Sequence, residues 1–373
     1  NVCPVNAISM GKDRTIIDKD KCVRCGRCKE ACPYSAIVKY ERPCAAACGV
    51  DAISSDEYGR AEIDHDKCVA CGRCIAECPF GAISDKTQIY QLIKAIKSGK
   101  KVYGAIAPSY IGQFGANTSA KQIIEAIKQL GFEDVLEVAL GADLTTLHEA
   151  KEYLERVPED IPFMGTSCCF SWTLMIRNEF PEFFEQVSDS GSPMRYTANH
   201  IKAKDPDAVV VFIGPCTSKK LEALDTKVKS DVDFVITFEE LMGMFVAKNI
   251  EPSEIKVEES VDDGSALGRG YPIAGGVAES VKVVAEKLSP DKDIHIQGAH
   301  TLAECKKMLK IAKAGKLDGY LLEGMACPGG CVAGVGTIAS VNRVKKQIEK
   351  FKKESAYPTP LENIHIEKER ESI

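Results

Sequence analysis

The placement of cysteine constrains this chain more than any other feature of it. Of 17 cysteines in 373 residues, eleven fall within the first 78 positions. Eight of these form two runs of one spacing, Cys22-x2-Cys25-x2-Cys28-x3-Cys32-Pro and Cys68-x2-Cys71-x2-Cys74-x3-Cys78-Pro. Disulfides are one account of such density, but C-x2-C cysteines are poor disulfide partners and cytosolic thiols stay reduced, which favours metal ligation. A phrase also recurs: Cys3-Pro-Val-Asn-Ala-Ile-Ser, Cys48-Gly-Val-Asp-Ala-Ile-Ser and Cys78-Pro-Phe-Gly-Ala-Ile-Ser, with Cys32-Pro-Tyr-Ser-Ala-Ile as a fourth copy. Residues 1–84 are therefore internal repeats. Asn1 stands two residues before a Cys-Pro, so the chain is expected to start inside a longer sequence, part-way through a motif.

Both runs have the bacterial ferredoxin spacing, in which three close thiolates cap a four-iron cubane and the fourth cysteine ligates the other cluster of the pair. Cys3 lies 19 residues before Cys22, and Cys48 lies 20 before Cys68. The expected ligand sets are Cys3, Cys22, Cys25 and Cys28 for one [4Fe-4S] cluster and Cys48, Cys68, Cys71 and Cys74 for a second. Cys32 would serve a cluster whose other cysteines precede Asn1. Cys44 and Cys78 are left from a degraded motif, and their ligation stays open. A zinc ribbon is the competing reading; zinc sites do not usually use the third cysteine or the Cys-Pro. Clusters in series form an electron wire, which raises the question of what lies at its inner end.

The formal charge of −6 and the lack of a basic patch beside aromatic residues argue against a nucleic-acid partner. No apolar run reaches the roughly 18 to 20 residues of a membrane span, and no signal-like segment opens the chain, so a cytoplasmic protein is expected. Cysteines pause after the repeats. An apolar pattern at helical spacing over 88–96 marks a linker, 85–100, before a large domain, 101–345, and a tail, 346–373, helical and then solvated. Within 101–345 short apolar strands alternate with amphipathic helices, an α/β pattern. Strands are predicted over 102–107, 135–138, 161–165, 208–213, 234–236, 295–297 and 319–323, and helices over 119–130, 144–157 and 302–312.

Three predicted strands run straight into cysteine: Ile161-Pro-Phe-Met-Gly-Thr-Ser-Cys168-Cys169, Val209-Val-Val-Phe-Ile-Gly-Pro-Cys216, and Tyr320-Leu-Leu-Glu-Gly-Met-Ala-Cys327-Pro-Gly-Gly-Cys331. Ligands of open α/β sheets bind beyond the carboxyl ends of strands, so these thiols could converge on a further cluster. Cys305, alone on its helix, reads as a small buried hydrophobe. Thr166-Ser-Cys-Cys-Phe-Ser-Trp172, Pro215-Cys-Thr-Ser-Lys-Lys-Leu-Glu222 and Glu323-Gly-Met-Ala-Cys-Pro-Gly-Gly-Cys331 resemble, in order, the three signature motifs of FeFe-hydrogenases. The resemblance spans roughly residues 1 to 340. It implies a two-lobed α/β catalytic domain of strand-helix units, preceded by α+β bacterial ferredoxin-like cluster domains. It also implies an H-cluster, a [4Fe-4S] cubane bridged through cysteine to a di-iron subsite carrying CO, cyanide and azadithiolate.

By motif position, Cys169, Cys216, Cys327 and Cys331 resemble the cubane ligands, with Cys331 as the bridge. Cys168 resembles the thiol that hands protons to the bridging amine. Glu149, Glu152 and Arg156, at i, i+3 and i+7 of a predicted helix, share one face that would ordinarily be solvated. The family's relay is similar to Glu149, Ser188 and Glu152 leading outward from Cys168, with Arg156 at the outer end. Lys219 resembles a cyanide donor, Ser109 a second pocket donor, and Met325 a pocket wall. Ferredoxin or another low-potential carrier and the hydrogenase maturation proteins are the implied partners; the oligomeric state stays open.

The chain departs from typical catalytic members at Phe170, Gly214, Met194, Val335-Gly-Thr337 and the stretch from Tyr271 to Val277. Such changes resemble those of the divergent, sensory branches, although no PAS-like segment is visible. Three readings follow: an enzyme interconverting hydrogen with protons and electrons, a low-turnover hydrogen sensor, and a non-catalytic assembly scaffold like the Narf/Nar-type relatives. A proton path and Lys219 are of no use to a scaffold.

Overall fold

The computed structural model describes residues 2–38, 41–257 and 260–372. Two antiparallel hairpins come first, β1 (Ile8–Met10) with β2 (Thr15–Ile17) and β3 (Ile53–Ser55) with β4 (Ala61–Ile63). They begin at the repeated Ala-Ile-Ser phrase. Three residues after Cys3, Cys32, Cys48 and Cys78 the backbone turns left-handed, at Asn6, Ser35, Asp51 and Gly81. One residue further on, the amide N–H donates back to each cysteine sulfur at 3.2–3.4 Å. The four copies therefore share one local fold.

Beyond the helix Ile89–Lys97, two parallel sheets carry the rest. The first has the order β6 (Asp134–Glu137), β5 (Val102–Ile106), β8 (Val209–Gly214), β9 (Phe234–Thr237). The second has the order β10 (His295–His300), β11 (Tyr320–Met325), β7 (Met164–Gly165). Every residue of β8 is buried, as expected for a central parallel strand covered on both faces. Each sheet has its own apolar core, which gives the two lobes expected of the fold. Gly324 in β11 is required: a Cβ there would stand 2.1 Å from the ring of Trp172, and no side chain fits in that space. Among the described residues no helix is long and apolar enough to cross a membrane.

Two expectations change. The helix predicted from Leu144 begins at Val138 and runs to Arg156, and it is buried over most of its surface, Glu149 and Glu152 included. Ser167 and Ser188, from two loops, meet the carboxylates of the face that charge patterning alone assigns to solvent. The tail is not a solvated extension either. Its helix Val341–Lys353 buries Val344, Ile348 and Phe351, and beyond it Asn363 and Ile366 are wholly buried. The reason is a polar anchor: Asn363 Nδ2 donates to Asp143 Oδ2 at 2.7 Å and to the Asp263 carbonyl at 2.9 Å.

The repeats dock on the cysteine loops of the large domain. Ser171 Oγ and Thr217 Oγ1 each donate at 2.9 Å, to the carbonyls of Val69 and Ala70. Lys220 Nζ, itself buried, pairs with Asp85 at 2.7 Å and with Glu240 at 3.0 Å. Gly72, at φ +75, permits the approach, since a Cβ would lie 2.6 Å from Val335 and 2.8 Å from Thr217.

A buried ion pair joins the first lobe to the tail. The Arg269 guanidinium is fully buried, donates to Glu137 Oε2 at 2.8 Å and to the Phe351 carbonyl at 3.1 Å, and lies 3.8 Å above the Phe351 ring. Arg269→Met is expected to lower folding stability by about 3–5 kcal/mol, because it strands the Glu137 carboxylate. Chemical denaturation would register the loss, and adding Glu137→Leu should return most of it.

Candidate functional site

Three cysteine loops leave the carboxyl ends of strands from both sheets. β7 leads to Cys168 and Cys169, β8 to Cys216, and β11 to Cys327 and Cys331. All five side chains line one cavity of about 90 Å³, which Ser109, just beyond β5, also lines. The crevice beyond strand ends is the usual ligand position in such sheets. Here the two lobes close it from both sides.

The donor set suits an iron-sulfur cluster. Burial pushes the thiols of Cys169, Cys327 and Cys331 up and takes Cys216 to about 11. At Cys216, Cys327 and Cys331 the neighbouring cysteines add to the push. Four such sulfurs ionise together only around a cationic centre. Among the described residues no three cysteine sulfurs lie within 4.8 Å of one another, whereas a tetrahedral zinc with bonds of about 2.3 Å needs its sulfurs roughly 3.8 Å apart. Ser109 Oγ is buried without a hydrogen-bond partner, which fits a ligand that presents acceptors. The residues present therefore fit the H-cluster that the motifs imply.

Lys219 lines the same cavity. Its Nζ donates to the Cys168 carbonyl at 3.1 Å and pairs with Glu222 Oε2 at 2.5 Å. Burial works against the ammonium charge, but Glu222 more than offsets it and holds the lysine above its ordinary pKa. Ser192 Oγ donates to Glu222 Oε1. Sequence reasoning missed Glu222, whose signal was its i, i+3 spacing from Lys219 on the helix Ser218–Leu224. Met325 stands in the cavity wall, as do Phe170 and Met194, two of the positions that depart from the typical motifs.

Buried carboxylates extend outward from Cys168. The Ser167 amide and hydroxyl donate to Glu149 Oε1 at 2.7 and 2.8 Å, while Oε2 is buried and unpartnered. Burial raises Glu149 to about 7, where a carboxyl both takes and gives a proton near neutrality. Ser188 Oγ donates to Glu152 Oε2 at 2.5 Å, and Arg156 bonds Glu152 Oε1. A groove of about 1040 Å³ opens beside Glu152, Arg156 and Ser188. Among the described hydrogen bonds none joins Cys168 to Glu149 or Glu149 to Ser188.

On the opposite side, Cys71 also reaches the cavity wall. Burial lifts its thiol to about 11, and Cys48, Cys74 and Cys68 add to the shift; Cys48, Cys68 and Cys71 pack against one apolar core. Of the first set, Cys3 and Cys22 accept amide hydrogen bonds at 3.2 and 3.4 Å, Cys25 is exposed, and Cys28 is half-buried. The Cys3, Cys32 and Cys78 thiols are each held below the ordinary value by surrounding backbone amides. Cys78 therefore keeps a thiolate cradle, whereas Cys44 is buried in the short helix Pro43–Ala46. Cys305 is buried and its sulfur faces the carbonyls of Ala299 and Met325, at 3.6 and 3.7 Å.

Comparison with known proteins gives a consistent picture. Residues 100–335 match the model of the iron only hydrogenase large subunit, C-terminal domain. Residues 15–38 match a 4Fe-4S binding domain, and 38–89 match the LdpA Fe-S cluster-binding domain. The chain is 30% identical to iron hydrogenase 1 of Clostridium pasteurianum, over 96% of this chain and 68% of that protein. It is 22% identical to the nuclear prelamin A recognition factor of Xenopus laevis, over 74% of this chain and 76% of that one. A variant of the [FeFe]-hydrogenase HydA1 from Chlamydomonas reinhardtii superposes with a TM-score of 0.64 at 22% identity, covering 77% of this chain and 94% of that structure. At that identity the likeness concerns the fold.

Proposed function

The chain belongs to the iron-only hydrogenase family, and from that premise we propose that it interconverts hydrogen with protons and electrons. The observation that carries this reading is the meeting of three loops around one cavity, which Cys168 lines beside Cys169, Cys216, Cys327 and Cys331. Cys169, Cys216, Cys327 and Cys331 would hold the H-cluster, and when bound it supplies the iron at which protons and electrons combine. Lys219 presents a fixed positive charge to that cavity, and Ser109 a free hydroxyl. A charged donor facing an anionic ligand makes a strong hydrogen bond. Cys168 holds a proton at Sγ because burial disfavours its thiolate. Glu149 holds one at Oε2, and Ser188 and Glu152 pass it toward the groove.

Electrons would arrive through the cluster held by Cys48, Cys68, Cys71 and Cys74, from ferredoxin or another low-potential carrier. Maturation proteins would load the di-iron subsite. Glu149→Gln, which keeps the size but cannot exchange a proton, is expected to slow hydrogen evolution at least about tenfold. In the unaltered protein, turnover should fall as pH rises through about 7, where Glu149 loses its proton. That inflection should be missing from the residual activity of Glu149→Gln.

A second reading, a low-turnover hydrogen sensor, draws on the buried apolar side chains of Met194 and Phe170 in the cavity wall. Replacing polar or small groups there changes potential and rate while leaving the ligands in place. Infrared spectroscopy after maturation, paired with hydrogen evolution, separates the readings. CO and cyanide bands with fast turnover support the enzyme, and bands with weak turnover support the sensor. No bands at all would leave a Narf/Nar-type scaffold.

A further inference from the structure

At the outer end of the proposed proton route, Glu152 stands beside two side chains that the proposed reaction does not use. His148 and Glu152 lie one turn apart on the helix Val138–Arg156 and so share a face. Asp189, next to Ser188, reaches them from its loop, with His148 Nε2 and Asp189 Oδ1 2.9 Å apart. One ligand atom from each of the three lies within 4.8 Å of the others. The hydroxyl of Tyr196 meets His148 Nδ1 at 3.0 Å. This contact fixes the ring and turns Nε2 toward the two carboxylates, the arrangement by which an outer partner orients a metal-ligating histidine. All three side chains line the groove of about 1040 Å³, from which an ion and its remaining water ligands can approach.

We propose that His148, Glu152 and Asp189 bind a divalent transition-metal ion of the zinc class at the mouth of the proton route, and that this ion closes the route. Imidazole with two carboxylates is a donor set suited to such ions. A zinc ion with bonds of about 2.0–2.2 Å places its ligands roughly 3.4 Å apart, so small side-chain rotations complete the site. The ion displaces Arg156 from Glu152 Oε1, and Arg156 keeps its bond to the Glu185 carbonyl, 3.0 Å from Nη2. Once Glu152 is coordinated, it has no basic oxygen facing the groove and cannot pick up a proton.

The closing of the route rests on the proposed role of Glu152; the binding of the ion does not. The test uses the cluster-loaded protein and Zn2+ in equilibrium dialysis with metal analysis, on the unaltered chain, His148→Ala and Asp189→Asn. The last alters a side chain that is 79% exposed, so its fold is safe. At the same free Zn2+, the unaltered chain is expected to hold one more ion than either variant, zinc on cysteines being common to all three. Equal zinc in all three overturns the site. In parallel, Zn2+ should suppress hydrogen evolution at least tenfold in the unaltered chain and leave His148→Ala resistant. A His148-dependent ion that leaves turnover untouched would keep the metal site and overturn the proton route through Glu152.

Discussion

Cys168→Ala is expected to cut hydrogen evolution by roughly 10²- to 10⁴-fold, the range for loss of a positioned proton donor, with iron content and infrared bands unchanged. The side chain is 9% exposed, and its thiol lies well above its ordinary pKa, first through burial and then through Glu149. It therefore keeps its proton at neutral pH. Its substitution is clean because Lys219 bonds the Cys168 backbone carbonyl and not the sulfur, so alanine leaves that anchor in place. Turnover matching that of the unaltered protein would remove Cys168 from the route, and missing infrared bands would show that the thiol has a structural part instead.

One residue further on, the expected result reverses. Cys169→Ala should abolish hydrogen evolution, remove the CO and cyanide bands, and lower the iron count by about six per chain, the cubane's four and the subsite's two. Cys169 lies between the two lobes: its side chain is half-buried, its carbonyl caps the helix Phe170–Glu179 by accepting from Trp172 N at 2.9 Å, and nearby Ser171 ties that helix to Val69. Without a cluster among them, Cys216, Cys327 and Cys331 become ordinary buried thiols, and the three loops lose what joins them. The front clusters should survive, since the Cys48, Cys68, Cys71 and Cys74 set shares no ligand with this site. Full iron and intact bands in Cys169→Ala would exclude it as a ligand.

Much of this was legible in the chain before folding. The cysteine runs announced iron-sulfur ligation, the repeated Ala-Ile-Ser phrase became two hairpins, and the strands before Cys216 and Cys327 appeared within a residue or two of their apolar runs, while the one expected over 161–165 shrank to Met164–Gly165. Ser119 was read as the start of a helix, and it caps Ala120–Gln129 in a reciprocal capping box with Gln122. Other features were not legible. Charge pattern alone put Glu149 and Glu152 on a face that would ordinarily be solvated, so that only the resemblance marked them; Glu222 stood in a quoted motif without a role, Cys71 gave no sign of facing the inner cavity, and the tail beyond Pro358 read as loose chain.

The division has a physical basis. A cysteine's amide cradle depends on the dihedral angles of the next four residues, and a strand or cap depends on a few neighbours, so the sequence by itself determines them. Whether a carboxylate is charged depends on which distant segments cover it. Glu149 is raised to about 7 because helices and loops from both lobes exclude water from it, and Asn363 is buried because Asp143, 220 positions earlier, needs its amide. Such long-range burial is decided only by the tertiary structure. It gathers scattered thiols around one cavity and buries the carboxylates of a charged helix face.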